Sequence, residues 1–290
     1  MKTLSKIYIF VILAVLYIPI LVLMLFSFNS TNNTGVFTGF SFYWYAELFR
    51  SADTFNALKN TLILAVSSAL IATVIGTFAS LGLDRMRHRV VRGAVRSLTN
   101  IPMMNPDIVT GISMMLLFVF VGNLLGSTDK LNFWTLLIAH VTFNLPYVIL
   151  NVSPKFRQMD KFLPEAALDL GCTPAQSFFK VELPNIMPGI VTGFIMAFTL
   201  SLDDFVISYF CSGSDFQTLP ILIYSMTKKE VKPDIYALST IMILAILLLL
   251  ILSTLSADKD DRKRRGFSGL RRLRERLHSG HPAAKGGDMQ

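Results

Sequence analysis

Asp107, Asp203 and Asp204 fall inside long apolar runs, where a charge at bilayer depth costs roughly 2.5–3.5 kcal/mol unless it faces protein or water. Asp107 is about ten residues into its run, roughly 15 Å deep at the helical rise. Pro102 and Pro106 beside it release backbone groups that could line a cavity in a broken helix. Asp203 and Asp204 lie near the outer end of another run and point about 100° apart on a helix, so at least one is free to cap or orient helices. With Tyr209 and the rings around it, these acids suit passage of a multiply charged cation, carboxylates meeting ammonium groups and rings giving cation–π contact. For Asp107 a second reading stays open, a structural pairing with His140 or Asn144 of another helix. No catalytic constellation competes. The glycine spacing Gly122 to Gly126 lacks the lysine of a phosphate-binding loop, and the four histidines have no metal-like spacing.

The runs that carry the acids are read as membrane spans. Hydrophobic residues make up 52% of the 290 and charged residues 16%, against roughly 25% charged in soluble domains, and mean hydropathy is +0.54. This excludes a secreted mini-protein, a disordered chain and an ordinary soluble enzyme. The first run, Ile7 to Phe28, is too long for a signal-peptide core and no cleavage site follows, so it reads as an uncleaved span kinked at Pro19. Further spans are expected at about Leu58 to Leu83, Leu98 to Val121, Leu131 to Val152, Ile186 to Phe210 and Ile235 to Leu255. Small residues along the second, including Ala65, Ser68, Ala72 and Gly76, predict close helix packing. Continuous apolar runs without alternation disfavour a β-barrel.

Six spans put both termini on one side. Of the 27 Lys and Arg, 21 lie in the N-terminal stub, the 84–97 and 153–185 loops and the 257–290 tail, leaving 6 on the other side. This bias makes both termini cytoplasmic, and the formal charge of +8 reads as topology rather than as affinity for nucleic acid. Cys172 and Cys211 then fall on opposite sides and form no disulfide framework. The tail has two readings, a disordered solubilising segment or a short helix on anionic membrane lipid with Leu270, Leu273 and Leu277 on one face.

The 153–185 loop is long and patterned. Ser153-Pro154 and Thr173-Pro174 with Gln176 both read as helix starts, and Gly171 separates the helical pieces. Glu165 and Asp169 share a face, while Ala166, Ala167 and Leu170 offer a small surface for close approach. A loop this size cannot bury its own core, so its counter-surface is expected on a partner protein.

Glu165-Ala166-Ala167, three residues, Gly171, nine residues, then Val181-Glu182-Leu183-Pro184 resembles the E-A-A loop of ABC importer permeases, departing only in Val181 for the usual isoleucine. Residues 8–256 are also similar to the polyamine branch of that family, through NPDIVTG at Asn105 to Gly111, LSLDDFVIS at Leu200 to Ser208 and LPILIYSM at Leu219 to Met226. The resemblance implies an all-α, six-span type I ABC importer permease domain over residues 1–256, set in a bacterial inner membrane, with a basic tail at 257–290. It implies that Glu165, Ala166, Ala167, Gly171, Leu183 and Pro184 form the coupling element against a cytoplasmic ATPase. It further implies a second six-span permease, two ATPase subunits that bind ATP and Mg in place of this chain, and an external polyamine-binding protein. The alternatives are another importer solute, such as ferric iron, thiamine or an organic phosphate, or a membrane anchor without a pathway of its own.

Overall fold

The structure, a computed structural model, describes residues 2–31, 36–160, 162–214, 216–228 and 234–251. The basic tail and the end of the expected sixth span lie outside the described residues. Among the described residues six helices are long and apolar enough to cross a membrane: Lys6–Phe26, Ala52–Arg85, Asp107–Leu124, Phe133–Gln158, Pro174–Asp203 and Asp234–Ile251.

Helix α1 (Lys2–Phe26) precedes a short helix α2 (Tyr43–Arg50) and the long α3 (Ala52–Arg85). Ser51 starts α3 by accepting the Thr54 amide, earlier than the apolar run alone suggests. The expected third span divides into α4 (Arg89–Met104) and α5 (Asp107–Leu124). The division falls at Asn105, which precedes Pro106 and is held extended at ψ 141, because a proline crowds the helical conformation of the residue before it. Pro102 is accommodated inside α4.

Helix α6 (Phe133–Gln158) is closed at its start by a capping box of Asn132 and Thr135. It runs through Pro154, so the helix start expected at Ser153-Pro154 does not form, and the Ser153 hydroxyl instead meets Ser80 at 3.3 Å. After α7 (Phe162–Asp169), α8 (Pro174–Ser177) and a π-helical turn at Phe178–Glu182, helix α9 spans Leu183–Asp203. The expected fifth span also breaks: α9 stops at Asp203 and α10 (Val206–Cys211) resumes beyond it. Helices α11 (Leu219–Thr227) and α12 (Asp234–Ile251) are the last among the described residues.

Helices α3, α6 and α9 form the central pack, and its closeness follows from small side chains. Val148 of α6 wedges between glycines of both neighbours: a Cβ on Gly76 would lie 2.6 Å from Val148 Cγ1, and one on Gly193 would lie 3.4 Å from it. Ala69, Ala72, Val152, Ile186 and Ala197 are buried around the wedge, which is how membrane helices gain dispersion energy where no solvent drives them together. A second cluster joins Trp44 and Leu48 of α2 to α11 and α12, and a third joins the outer half of α6 to α10. By contrast, none of the apolar window of α1 is buried.

The orientation has a direct check. In a cysteine-free background a cysteine at Gln217 is expected to react with an impermeant thiol reagent from outside intact cells, and one at Asp169 only after permeabilisation. The reverse pattern would invert the topology drawn from charge.

Candidate functional site

Two regions carry the features singled out in the sequence. One is the pair of helix breaks and the other is the cytoplasmic loop.

The breaks after α4 and α9 both face the interior of α6. Asp204 Oδ2 lies 3.5 Å from His140 Nε2, and Asp107 is within electrostatic reach of Asp204 and of Tyr147. His140 and Tyr147 flank the midpoint of α6, so Asp107 and Asp204 stand well inside the layer that α6 crosses. Helix α5 is drawn against α10 by Gly111, where a Cβ would meet Phe210 Cδ2 at 3.0 Å.

The three carboxylates have different tasks. The Asp204 side chain is 8% exposed and caps α10, accepting the Ser208 amide at 2.8 Å and the Ile207 amide at 3.4 Å. His140 meets Ser208 Oγ at 3.1 Å, while Asn144 donates to Ser201 Oγ at 2.7 Å and Ser201 meets Ser68 at 2.9 Å. His140 and Asn144, considered above as partners for Asp107, are thus engaged by α10, α9 and α3. Asp107 and Asp203 are exposed. Each break also leaves a helix C-terminus, of α4 or of α9, whose last carbonyls carry partial negative charge, while the positive ends of α5 and α10 hold Asp107 and Asp204. The balance around the breaks favours a cation.

Tyr209 is 47% exposed and belongs to a ring cluster with Phe205 at 5.4 Å and Tyr224 at 5.9 Å, Phe205 and Tyr224 being 4.6 Å apart. The Lys228 ammonium sits 4.6 Å from the centre of the Tyr224 ring, which shows an alkylammonium using this surface. Phe205 and Tyr224 were not singled out in the sequence, although both lie in the stretches that carry the family resemblance.

In the loop, Gly171 has φ +87° and closes α7 with paired bonds, Cys172 N–H to Ala167 O at 3.0 Å and Gly171 N–H to Leu168 O at 2.9 Å. Thr173 and Gln176 form the expected capping box at the start of α8. Glu165 and Ala166 are exposed in the middle of α7, Ala167 is buried, Leu183 is partly buried and Pro184 is exposed at the start of α9. One residue escaped the sequence reading. Glu182, at an open position of the motif, is buried to 3% side-chain exposure and accepts a 2.7 Å bond from Arg85 Nη2 at the end of α3. Its signal, a carboxylate between Val181 and Leu183, is too local to reveal a partner 97 positions away.

A six-span helical pack with a cytoplasmic two-helix loop and helix breaks beside Asp107 and Asp204 fits the membrane subunit of an ABC importer for a small solute. The chain belongs to the binding-protein-dependent transport system inner membrane component family, which it matches over residues 72–266. It is 41% identical over 232 residues to the putrescine transport system permease protein PotI of Escherichia coli (strain K12), covering 80% of this chain and 82% of that one. It is 40% identical over 237 residues to the spermidine/putrescine transport system permease protein PotC of Haemophilus influenzae, covering 82% and 90%. Among solved structures, a bacterial ABC transporter involved in import of the acidic polysaccharide alginate has a similar fold, with a TM-score of 0.69 at 16% identity over 90% of this chain and 95% of that one. The MetNI methionine ABC transporter is also similar, with a TM-score of 0.56 at 17% identity over 69% and 92%. The family architecture implies ATPase and substrate-binding partners.

Proposed function

We propose that this subunit carries polyamines, spermidine and putrescine, into the cell by alternating access, paired with a second six-span permease and driven by two ATPase subunits. The observation that carries the reading is the exposed Asp107 and Asp203 at two helix breaks, the second of which is followed in the chain by the ring cluster of Phe205, Tyr209 and Tyr224. Carboxylates spaced along a path match amines spaced along an alkyl chain, and the rings cover the methylenes between them. The putrescine and spermidine relatives at about 40% identity support the same substrate class. An external polyamine-binding protein would deliver the cation to the outer face. Another importer solute is the second reading, because the same fold serves alginate and methionine. The proposed permease domain is 1–256.

ATP-driven uptake into vesicles holding the whole complex, measured with labelled putrescine, spermidine, ferric iron, thiamine and an organic phosphate, decides between them. Polyamine uptake that competes with no other solute is expected. Uptake of one of the others without polyamine uptake would sink the assignment.

We propose the loop 153–185 as the coupling element, with Glu165 facing the ATPase and Leu183-Pro184 passing its movement into α9. Glu165→Ala is expected to lower stimulation of ATP hydrolysis by the binding protein and uptake together. Gly171→Leu is expected to lower both further, since a side chain in the left-handed region costs about 1–2 kcal/mol and would re-aim α7 against α8. Docking of the binding protein on the solubilised complex reports that the outer face is intact. Normal uptake by both variants would remove the loop from coupling.

A further inference from the structure

The cytoplasmic ends of α3 and α6, the first turns of α4 and the coupling loop surround an open cavity of about 930 Å³. Glu165 and Leu168 of α7 and Ser177 of α8 line it from the loop, and Arg92, Arg96 and Arg157 line it from the helices. Arg85, which also borders it, is committed to Glu182 at 2.7 Å. Arg92, Arg96 and Arg157 are not committed: among the described residues they form no ion pair. Arg92 and Arg96 are partly buried one turn apart on α4, and Arg157 approaches from the end of α6. Burial, followed by repulsion from Arg157 and Arg92, holds the Arg96 guanidinium below its ordinary pKa, with Asp84 acting in the opposite direction. Three guanidinium groups brought together by two helices are stabilised by negative charge set between them, and their planar forks match carboxylates.

The surroundings select the source of that charge. At 100° per residue, Val90, Leu98 and Ile101 lie across α4 from Arg92 and Arg96, so the apolar face of the helix turns away from the cavity and the arginines face the loop. The chain's own tail carries the wrong sign, with 10 Lys and Arg in residues 257–290. Glu165 is exposed and lines the same cavity, so a protein seated on Glu165 stands within reach of the arginines. We propose that an acidic segment of the ATPase subunit enters this cavity and pairs with Arg92, Arg96 and Arg157, a second contact opposite in sign to the one at Glu165. The inference rests on the coupling role proposed for the loop. An interface that presents an acid and a cluster of bases side by side fixes the orientation of its partner and rejects one whose surface has a single sign.

Carbodiimide treatment of the complete transporter carrying Arg92→Lys or Arg96→Lys tests this. Each substitution keeps the charge and supplies an amine, which the reagent joins to a touching carboxylate as an amide with loss of water. A crosslink from position 92 or 96 to an aspartate or glutamate of the ATPase, mapped by peptide mass spectrometry, is expected. Crosslinks only to Asp84 or Glu165 of this chain, crosslinks to the second permease instead, or no crosslink in the intact complex would overturn the site. Replacing all three arginines by glutamine is expected to weaken ATPase binding to the solubilised permease pair roughly tenfold at low salt, the combined effect of three exposed ion pairs. That difference is expected to fade at high salt, where the pairs are screened. If the triple variant does not assemble, Arg157→Gln alone is expected to weaken ATPase binding about twofold. Unchanged ATPase binding at low salt would also overturn the site. Normal coupling in Glu165→Ala would fail the reading of the loop, whereas lost coupling in Glu165→Ala with no crosslink at 92 or 96 would fail this inference alone.

Discussion

Arg85→Ala is expected to abolish ATP-driven uptake while the outer half of the protein stays folded. The Glu182 carboxylate is 3% exposed and Arg85 is its ion-pair partner at 2.7 Å. Removing the cation leaves a buried charge uncompensated, which costs about 3–5 kcal/mol in a sealed site. Arg85 itself is half exposed, so water repays part of this and a loss of about 2 kcal/mol is expected. That is enough to detach the loop, because the pair ties the π-helical turn before α9 to the end of α3. With the tie gone, movement of α7 and α8 is absorbed at the turn instead of reaching α9. Glu182→Gln, which can still accept from Arg85, is expected to retain more uptake. The exchanged pair Arg85→Glu with Glu182→Arg is expected to recover part of what Arg85→Ala loses. Complex yield, stimulation of ATP hydrolysis by the binding protein, and uptake should be measured together. Wild-type stimulation and uptake in Arg85→Ala would refute the tie, whereas low yield with normal uptake per complex would make it an assembly contact only.

Asp107→Asn and Asp203→Asn are expected to lower polyamine uptake about tenfold or more each, with complex yield unchanged. A hydrogen bond to a charged group contributes about 1.5–3 kcal/mol, and both side chains are exposed at the breaks rather than spent on the fold. Asp204→Asn should fail differently. Its carboxylate caps α10 and lies beside buried His140, so loss of folded complex is expected before any change in selectivity, at about 0.5–2 kcal/mol for the cap. Uptake normalised to assembled complex separates the two. If Asp107→Asn and Asp203→Asn both transport at wild-type rates, the cation pathway lies elsewhere.

What could be seen in the sequence was local. The spans showed as apolar runs because backbone in lipid must satisfy itself within a helix, and the loop showed because caps, Gly171 and the motif are short-range features. The break at Asn105 was legible from Pro106, whereas the break after Asp203 has no proline and depends on the side chain of Asp204 turning back to α10. Ser153-Pro154 carried a sound local signal for a new helix, and α6 overrode it. The convergence of the breaks on α6 and the Arg85–Glu182 pair depend on helices far apart in the chain, and no local pattern encodes them.

The exposed α1 bears on how the subunit is made. It satisfies its own backbone bonds, buries none of its apolar window against the other helices, and is synthesised ahead of the helices that follow it. It can therefore enter the bilayer and bias the orientation before the helices of the central pack are made. The central pack matures much later, since Val148 and its two glycine seats come together only when α9 has been synthesised. Until then α3 and α6 show lipid an unfinished face of small and polar residues, among them Ser68, Thr73 and Asn144. Nascent chains stalled before α9 should thus be the ones most exposed to membrane proteases, although already anchored.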